Sequence, residues 1–374
     1  MQGAQFVASG SFVLVLSGAL SAHGAFALDC GTFTFPVCSK ARTQPAQFDG
    51  GFNPPAPDGG FGGGNCKGKI AHTPVVMVHG NSDSAIGWAA PAAARSGRPE
   101  GPSVYAALIA KGYNDCELFG VTYLDASEQA LDHASLNHHQ PAKYDILWRF
   151  IRAVEEYSGS GQVDIVAHSL GVSMTLAMLD YYTSEKSQNA WASVRRFVNI
   201  AGALRGLNSC AFPGSLLQPV CMPAISSGPA PAYEFGFFPS IPYPFTEPLN
   251  PWTAPDSEQS LRTAPRRHPS VLFYTLYAGK YDDIQCPGTT AALPQAFDCT
   301  EGPRFEPRPN VRAQLDIGAA PGQPAPVWTA SVDPVIAATF PNDLGGIGHY
   351  GARNDAGAII VRMLTSDCNG GMCK

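Results

Sequence analysis

The chain has 374 residues, of which 45% are hydrophobic and 14% are charged, and its formal net charge at pH 7 is −6. This composition supplies enough apolar side chains for one large α/β domain or two smaller ones. The acidic balance argues against nucleic acid or an anionic membrane as a partner, because clusters of Lys and Arg bind such surfaces.

The first 27 residues are typical of an export signal. Residues 6–20 (FVASGSFVLVLSGAL) are apolar, and Ala25-Phe26-Ala27 fits the small-x-small pattern of a cleavage site. The start is atypical, since the first basic residue is Lys40. A transmembrane anchor is the alternative, but the apolar stretch is short for a membrane span. We therefore predict a signal peptide at 1–27, a secreted, extracellular mature protein and no integral membrane span.

All ten cysteines follow the predicted cleavage site, and an even number of cysteines in an exported chain favours disulfides. Pairing of neighbours along the chain is the simplest hypothesis, although connectivity does not follow from a sequence. The hypothetical pairs are Cys30–Cys38, Cys66–Cys116, Cys210–Cys221, Cys286–Cys299 and Cys368–Cys373. Zinc binding is the alternative, and the absence of a CxxC or HExxH motif disfavours it.

The predicted elements begin after a segment rich in Gly and Pro, residues 28–72. This segment contains GGFGGGNC (59–66), which precedes the first convincing strand, whereas a dinucleotide-binding loop follows a strand and opens a helix. We therefore interpret these glycines as plain loop.

Strand and helix patterns then alternate along the chain. Strands are predicted at 73–79, 116–123, 162–169, 194–202, 271–279 and 311–320. Helices are predicted at 102–112, 143–157, 170–182 and 354–365. The alternation predicts a single α/β domain over residues 28–374, with a mostly parallel central sheet and helices on both faces.

Residues 203–265 interrupt the alternation with a stretch rich in Pro, Phe and Gly that has no regular period. Insertions of this length commonly serve a functional site. We therefore predict a cap over the carboxyl ends of the strands.

The strand at 162–169 ends in Ala167-His168-Ser169-Leu170-Gly171, which raises the question of why a serine stands at this turn. A nucleophile elbow places a serine between a strand and a helix, so that its hydroxyl points out of the sheet. An ordinary helix N-cap is the alternative, because serine is a favoured cap residue. The elbow interpretation requires a histidine as base and a carboxylate to orient that histidine.

The order of residues in α/β-hydrolases, Ser then Asp or Glu then His, selects among the nine histidines. His349 is the candidate base, because it follows Ser169 and lies in a glycine-rich loop before the last predicted helix. Asp282, just after the strand at 271–279, is the candidate acid, and Asp283 is the first alternative. Weaker candidates for the acid are Asp316, Asp333 and Asp343.

An acyl transfer also requires hydrogen-bond donors for the developing oxyanion. The backbone N–H of Leu170, directly after the serine, is one candidate donor. The backbone N–H of Asn81, in the loop after the first convincing strand, is the second, and Gly80 permits a close turn there. No metal ion or organic cofactor is expected to take part.

Eight stretches together resemble a known family: HGNSD (79–83), GYNDCELFGVTYL (112–124), VDIVAHSLGVSM (163–174), NIAGALRGL (199–207), FGFFP (235–239), NPWT (250–253), FYTLYAG (273–279) and GIGHY (346–350). In this order they look like the secreted polyhydroxybutyrate depolymerases that attack amorphous polymer, which are lipase-like α/β-hydrolases. The resemblance implies the α/β-hydrolase fold and a hydrophobic polyester substrate. It also implies the triad Ser169, Asp282 and His349, with Asn81 and Leu170 as oxyanion donors.

Other functions are open at this point. A secreted triacylglycerol lipase or a general polyesterase would carry a similar elbow, and a non-catalytic polymer-binding protein could keep the fold. A metal-dependent hydrolase would need His133, His138 and His139 as ligands, but no carboxylate stands at a suitable spacing. Candidate substrate contacts in the cap are Phe237, Phe238 and Trp252, and ordinary core packing explains these aromatic residues equally well. The sequence does not settle the oligomeric state, and a monomer is the expectation.

Overall fold

The computed structural model describes residues 28–41, 46–55, 59–64, 70–94, 99–211, 217–224, 232–239, 250–255, 257–286, 298–318 and 332–374. The predicted signal peptide, residues 1–27, lies outside the described residues. Within the described parts, no helix is both long enough and apolar enough to cross a membrane.

Ten strands occur in the described part of the chain. They are β1 (Phe33–Thr34), β2 (Val37–Cys38), β3 (Gln47–Phe48), β4 (Gly60–Gly62), β5 (Val75–Val78), β6 (Leu118–Val121), β7 (Val163–His168), β8 (Val194–Ile200), β9 (Leu272–Tyr277) and β10 (Val311–Asp316). Strands β1 and β2 form a small antiparallel hairpin. The other eight form one sheet in the order β10-β9-β8-β7-β5-β6-β4-β3.

The predicted mostly parallel sheet is confirmed. Strands β5 to β10, which correspond to the six predicted strands, pair in parallel throughout. Strand β4 pairs antiparallel with β6, and β3 runs parallel to β4. Because all six parallel strands point the same way, their carboxyl ends share one edge of the sheet, where ligand sites of such folds form.

Helices lie on both faces of this sheet. They are α1 (Val104–Ile109), α2 (Pro141–Ser158), α3 (Leu170–Ser184), α4 (Ala264–Arg267), α5 (Pro334–Thr339), α6 (Pro341–Gly345), α7 (His349–Asn354) and α8 (Gly357–Thr365). Pro141 starts α2 without losing an intrahelical hydrogen bond, and Gly159 ends it with a left-handed φ of 67°.

Two apolar layers hold the helices to the sheet. Alternate side chains of β5 point to opposite faces, as the period of a strand requires. Val76 and Val78 belong to the layer beneath α2 and α3. Val75 and Met77 belong to the layer beneath α1 and α8. The central strands are buried on both faces, and this explains their continuous apolar sequences.

The glycine-rich segment is not all loop, contrary to the prediction, because Gly60–Gly62 forms strand β4. A Cβ atom at Gly60 would lie 2.2 Å from the carbonyl oxygen of Gly120 in β6. A Cβ atom at Gly120 would lie 2.1 Å from the ring of Phe61, which is fully buried. Glycines on both strands therefore allow the close approach that seats Phe61 in the core.

Four of the five hypothetical disulfides are confirmed: Cys30–Cys38, Cys210–Cys221, Cys286–Cys299 and Cys368–Cys373. The fifth hypothetical pair, Cys66–Cys116, includes a cysteine outside the described residues. Each observed bridge closes a short loop, which limits the freedom of the unfolded chain.

Trp252 is packed in the core, which is the alternative to substrate contact for the aromatic residues of the predicted cap. Its side chain is 1% exposed and stacks on Phe235 with 4.9 Å between the ring centroids. Its indole N–H donates to the carbonyl oxygen of Ala232 at 2.8 Å. The tryptophan therefore packs inside the inserted segment, whereas Phe238 is half-buried there.

The contact between β4 and β6 leads to a stability prediction. Gly120→Ala would place a methyl group against the Phe61 ring and should lower the free energy of unfolding by about 1–3 kcal/mol. Gly161→Ala is the matched control, because a Cβ atom there meets nothing within 4 Å. Urea unfolding of both variants measures the difference. Equal stability of the two variants would show that β4 and β6 do not approach this closely.

Candidate active site

Ser169 occupies a sharp turn between β7 and α3. Its φ of 53° and ψ of −126° are strained for a residue with a side chain, and its hydroxyl makes no capping hydrogen bond to the helix. A Cβ atom at Gly80 would lie 2.8 Å from Cβ of Ser169, and one at Gly171 would lie 2.3 Å from the carbonyl oxygen of His79. Glycines thus let the neighbouring loop and the helix start pack against the turn.

The structure brings Ser169, His349 and Asp282 together at the carboxyl edge of the sheet. The Ser169 Oγ lies 2.8 Å from Nε2 of His349. The Nδ1 atom of the same ring lies 2.9 Å from each carboxylate oxygen of Asp282. His349 is 2% exposed and Asp282 is 1% exposed. An Nδ1–H donated to the carboxylate leaves Nε2 as an acceptor for the serine proton.

Asp282 is the carboxylate on the histidine, whereas Asp283 faces elsewhere. Asp282 follows β9 through the 3-10 turn Gly279–Tyr281, and its Oδ1 also accepts from the backbone N–H groups of Ile284 (3.1 Å) and Gln285 (2.9 Å). These bonds orient the carboxylate toward His349. Asp283 instead accepts from the backbone N–H of Asp343 at 3.3 Å.

Asp343, a weaker candidate for the acid, contacts the helix that carries His349. Its Oδ1 accepts from the backbone N–H of Tyr350, the second residue of α7, at 3.2 Å. Burial, followed by the negative charge of Asp282, raises the pKa of the Asp343 carboxyl well above its usual range. Asp343 thus satisfies one backbone N–H in the first turn of α7, at the end where His349 lies.

Asn81 and Leu170 line one cavity with Ser169. Leu170 is the first residue of α3, where backbone N–H groups have no partner within the helix. Two hydrogen bonds orient the Asn81 side chain: its Nδ2 donates to the carbonyl oxygen of Ala134 (2.9 Å) and its Oδ1 accepts from Nδ2 of Asn137 (2.7 Å). No local sequence pattern predicts the place of Asn137 at the site, because its partner Asn81 lies 56 residues away.

The cavity in front of Ser169 has a volume of about 320 Å³ and mostly apolar walls. One wall comes from the inserted segment and includes Phe237, one of the candidate substrate contacts. A second wall comes from Leu131 and Ala134, after β6. A third wall includes Val335 near the start of α5, a residue that no sequence motif marks.

Two of the three histidines considered as metal ligands have other contacts, His138 and His139. His139 is fully buried, with Nδ1 at 2.9 Å from the hydroxyl of Tyr144 and Nε2 at 3.0 Å from Oγ of Ser173. His138 contacts the carbonyl oxygen of Leu136 through Nδ1 at 2.8 Å. Among the described residues, no group of three or more His, Cys, Asp or Glu side chains could hold a metal ion.

Two further buried histidines, His168 and His79, contact backbone groups next to the site. His168 Nε2 donates to the backbone oxygen of His349 at 3.0 Å. His79 lies directly before the 80–83 loop, with Nδ1 at 2.8 Å from the oxygen of Gly80 and Nε2 accepting from Tyr123 N–H at 3.3 Å. Burial lowers the pKa of His79 to about 4. It also lowers the pKa values of His139 and His168 well below their usual range.

The sheet order, the strained turn after β7, and an acid and a histidine following β9 and β10 define the α/β-hydrolase fold. Residues 72–227 match the model of a lipase family, Lipase (class 2). The matched segment contains Asn81, Ser169 and Leu170, whereas Asp282 and His349 lie beyond it. The chain therefore has the α/β-hydrolase fold, and its residues 72–227 are similar to class 2 lipases.

Solved lipases and esterases show distant structural likeness. Lipase B of Aspergillus fumigatus is 16% identical, with 92% of this chain and 64% of that lipase covered and a TM-score of 0.39. The mature lipase BlEst2 of Bacillus licheniformis is 14% identical, with 61% and 72% covered and a TM-score of 0.31. Carboxylesterase CesB of Bacillus subtilis is 12% identical, with 79% and 85% covered and a TM-score of 0.32. The chain thus spans less than two thirds of the Aspergillus lipase.

The buried histidines lead to a pH prediction. His79 binds a proton near pH 6.5 when unfolded but only near pH 4 when folded. As pH falls from 6.5 to 4, the unfolded state takes up more protons, so this residue should remove about 1.4 kcal/mol of stability per pH unit. Denaturant unfolding at several pH values should show a smaller slope for His79→Gln than for the wild type. Parallel curves over this window would contradict the prediction.

Proposed function

We propose that the protein is a serine ester hydrolase with Ser169 as nucleophile, His349 as base and Asp282 as the orienting acid. The observation that carries this proposal is the continuous chain of hydrogen bonds from Ser169 Oγ through both nitrogens of His349 to Asp282. The strained serine turn and the apolar cavity in front of it also support the proposal. The backbone N–H groups of Asn81 and Leu170 are the proposed oxyanion donors.

The reaction follows from these positions. Ser169 Oγ attacks the ester carbonyl carbon while His349 Nε2 takes the hydroxyl proton, and Asp282 stabilises the imidazolium through its hydrogen bond to Nδ1. The carbonyl oxygen becomes an oxyanion and accepts hydrogen bonds from the two proposed donors. The C–O bond then breaks, and the alcohol leaves with the proton from Nε2. Water, deprotonated by the same nitrogen, then attacks the acyl carbon; the bond to Ser169 Oγ breaks, Oγ takes the proton back from Nε2, and the acid leaves.

The proposed substrate is amorphous short-chain polyhydroxyalkanoate, such as poly(3-hydroxybutyrate). The sequence resemblance supports this choice, as does a cavity whose apolar walls include Leu131, Phe237 and Val335. A mobile polymer segment can bring an ester bond to a serine beneath such walls, whereas a crystalline chain must first leave its lattice. We also propose that residues 203–265 form a cap on one domain spanning 28–374.

We further propose that the protein is secreted. The four disulfides and the apolar segment before residue 28 support this proposal. Disulfides of this number persist in oxidising compartments outside the cytosol.

A triacylglycerol lipase is the second candidate function. The observation that favours it is the match of residues 72–227 to the class 2 lipase model. The two candidates share the proposed chemistry and differ in the acyl group and alcohol that the cavity accepts.

The proposed triad predicts the effects of three substitutions. Ser169→Ala and His349→Ala should each lower kcat by about 10⁶-fold, because such residues act as one unit. Asp282→Asn should lower kcat by about 10⁴-fold, because the imidazole then loses its orientation. Initial rates on p-nitrophenyl butyrate measure these losses.

Asp283→Asn is the matched control for the acid, since the amide oxygen can still accept from the backbone N–H of Asp343. It should cost little activity. A larger loss from Asp283→Asn than from Asp282→Asn would overturn the assignment of the acid.

The proposed polymer substrate leads to a prediction of hydrolysis rates on amorphous and crystalline material. The wild type should release soluble hydroxybutyrate oligomers from amorphous granules in the presence of a chelator, and should act much more slowly on crystalline film. Ser169→Ala provides the blank. Rapid hydrolysis of triolein without release from the granules would instead establish the lipase function.

A further inference from the structure

A buried ion pair joins the 80–83 loop to helix α7. Arg353 lies four residues after His349, about one helical turn along α7, and its Nη1 donates to Oδ2 of Asp83. Asp83 is the last residue of the 80–83 loop and lines the same cavity as Asn81. The pair therefore connects the loop of one proposed oxyanion donor to the helix that begins at the proposed base.

Both partners are enclosed and have further contacts that determine their orientation. Arg353 is 1% exposed and Asp83 is 6% exposed. The Arg353 Nη2 donates to the carbonyl oxygen of Pro36 at 3.3 Å, and Asp83 Oδ1 accepts from the backbone N–H of Ser84 at 2.8 Å. A Cβ atom at Gly87 would lie within 2.7 Å of both side chains, so this glycine leaves room for the pair.

Stability alone does not account for such a pair. Removing two charges from water costs much of what their attraction returns, and apolar replacements of similar shape are often as stable. The neighbouring backbone gives another reason for the pair. Ser82, directly before Asp83, has a φ of 53°, and strained backbone of this kind persists only where its surroundings hold it.

We infer that Arg353 and Asp83 are positioning residues that hold the Asn81 N–H and the His349 ring at a constant separation. The inference rests on the proposed function, in which both groups act on the same ester. Neither Arg353 nor Asp83 touches the reacting atoms. They act through the backbone of the 80–83 loop and of α7, where a shift of about 1 Å can cost 10²-fold in rate.

The test is a double-mutant cycle on kcat and KM with p-nitrophenyl butyrate. Arg353→Met and Asp83→Asn should each lower kcat about 100-fold and leave KM nearly unchanged. The double variant should lose no more than the worse single variant, because the two residues act as one unit. Arg353→Lys keeps the charge and one donor, so its loss of kcat should be smaller.

Arg195→Met provides the control for an ion pair with a purely structural role. Arg195 donates to the fully buried Asp164, near the amino end of β7 and thus at the opposite edge of the sheet from Ser169. This variant should lower the melting temperature but leave kcat within about twofold. Affinity for a boronic acid, whose tetrahedral adduct needs the oxyanion donors, should fall in the Arg353 and Asp83 variants and not in Arg195→Met.

Three results would overturn the inference: an unchanged kcat in folded Arg353→Met, losses that multiply in the double variant, or an equal loss of kcat in Arg195→Met. If Arg353→Met does not fold, Arg353→Lys and Asp83→Asn complete the cycle with the same criteria. Failure of the proposed function is distinguishable, because the wild type would then be no more active than Ser169→Ala.

Discussion

The backbone at Ser169 is the constraint on which the site depends. A φ of 53° at a residue with a side chain is unfavourable, so neighbouring groups must keep it there. The start of α3 and the glycines of the flanking segments pack directly against this turn. Movement of the turn would separate the serine hydroxyl from His349, which lies 180 residues further along the chain.

Polar contacts around α7 hold His349 in place opposite the Ser169 turn. This helix has only six residues, too few to be stable alone, yet it begins at the histidine. Asp343 contacts its first turn, His168 donates to its first carbonyl oxygen, and Arg353 ties its last turn to the 80–83 loop. The three partners, Asp343, His168 and Asp83, come from different parts of the chain. The position of the His349 ring therefore depends on several segments at the carboxyl edge of the sheet.

The sequence predicted the features that depend on local pattern. Buried parallel strands are continuous apolar runs, so β5 to β10 were recognisable, and disulfides between neighbours such as Cys368–Cys373 close short loops. Strand β4 was missed because glycine disfavours strands, and its place depends on Gly120, about 60 residues away. The Arg353–Asp83 contact spans 270 residues and has no local signature.

The contacts of Asn81 have a consequence for substrate discrimination. The side-chain amide of Asn81 is hydrogen-bonded to Ala134 and Asn137, and Ala134 also lines the cavity. If Asn81 donates to the oxyanion as proposed, a bulky acyl chain that pushes this wall outward also displaces the donor. Poorly fitting esters would then be penalised in turnover more than in affinity, and selectivity would arise during the chemical step.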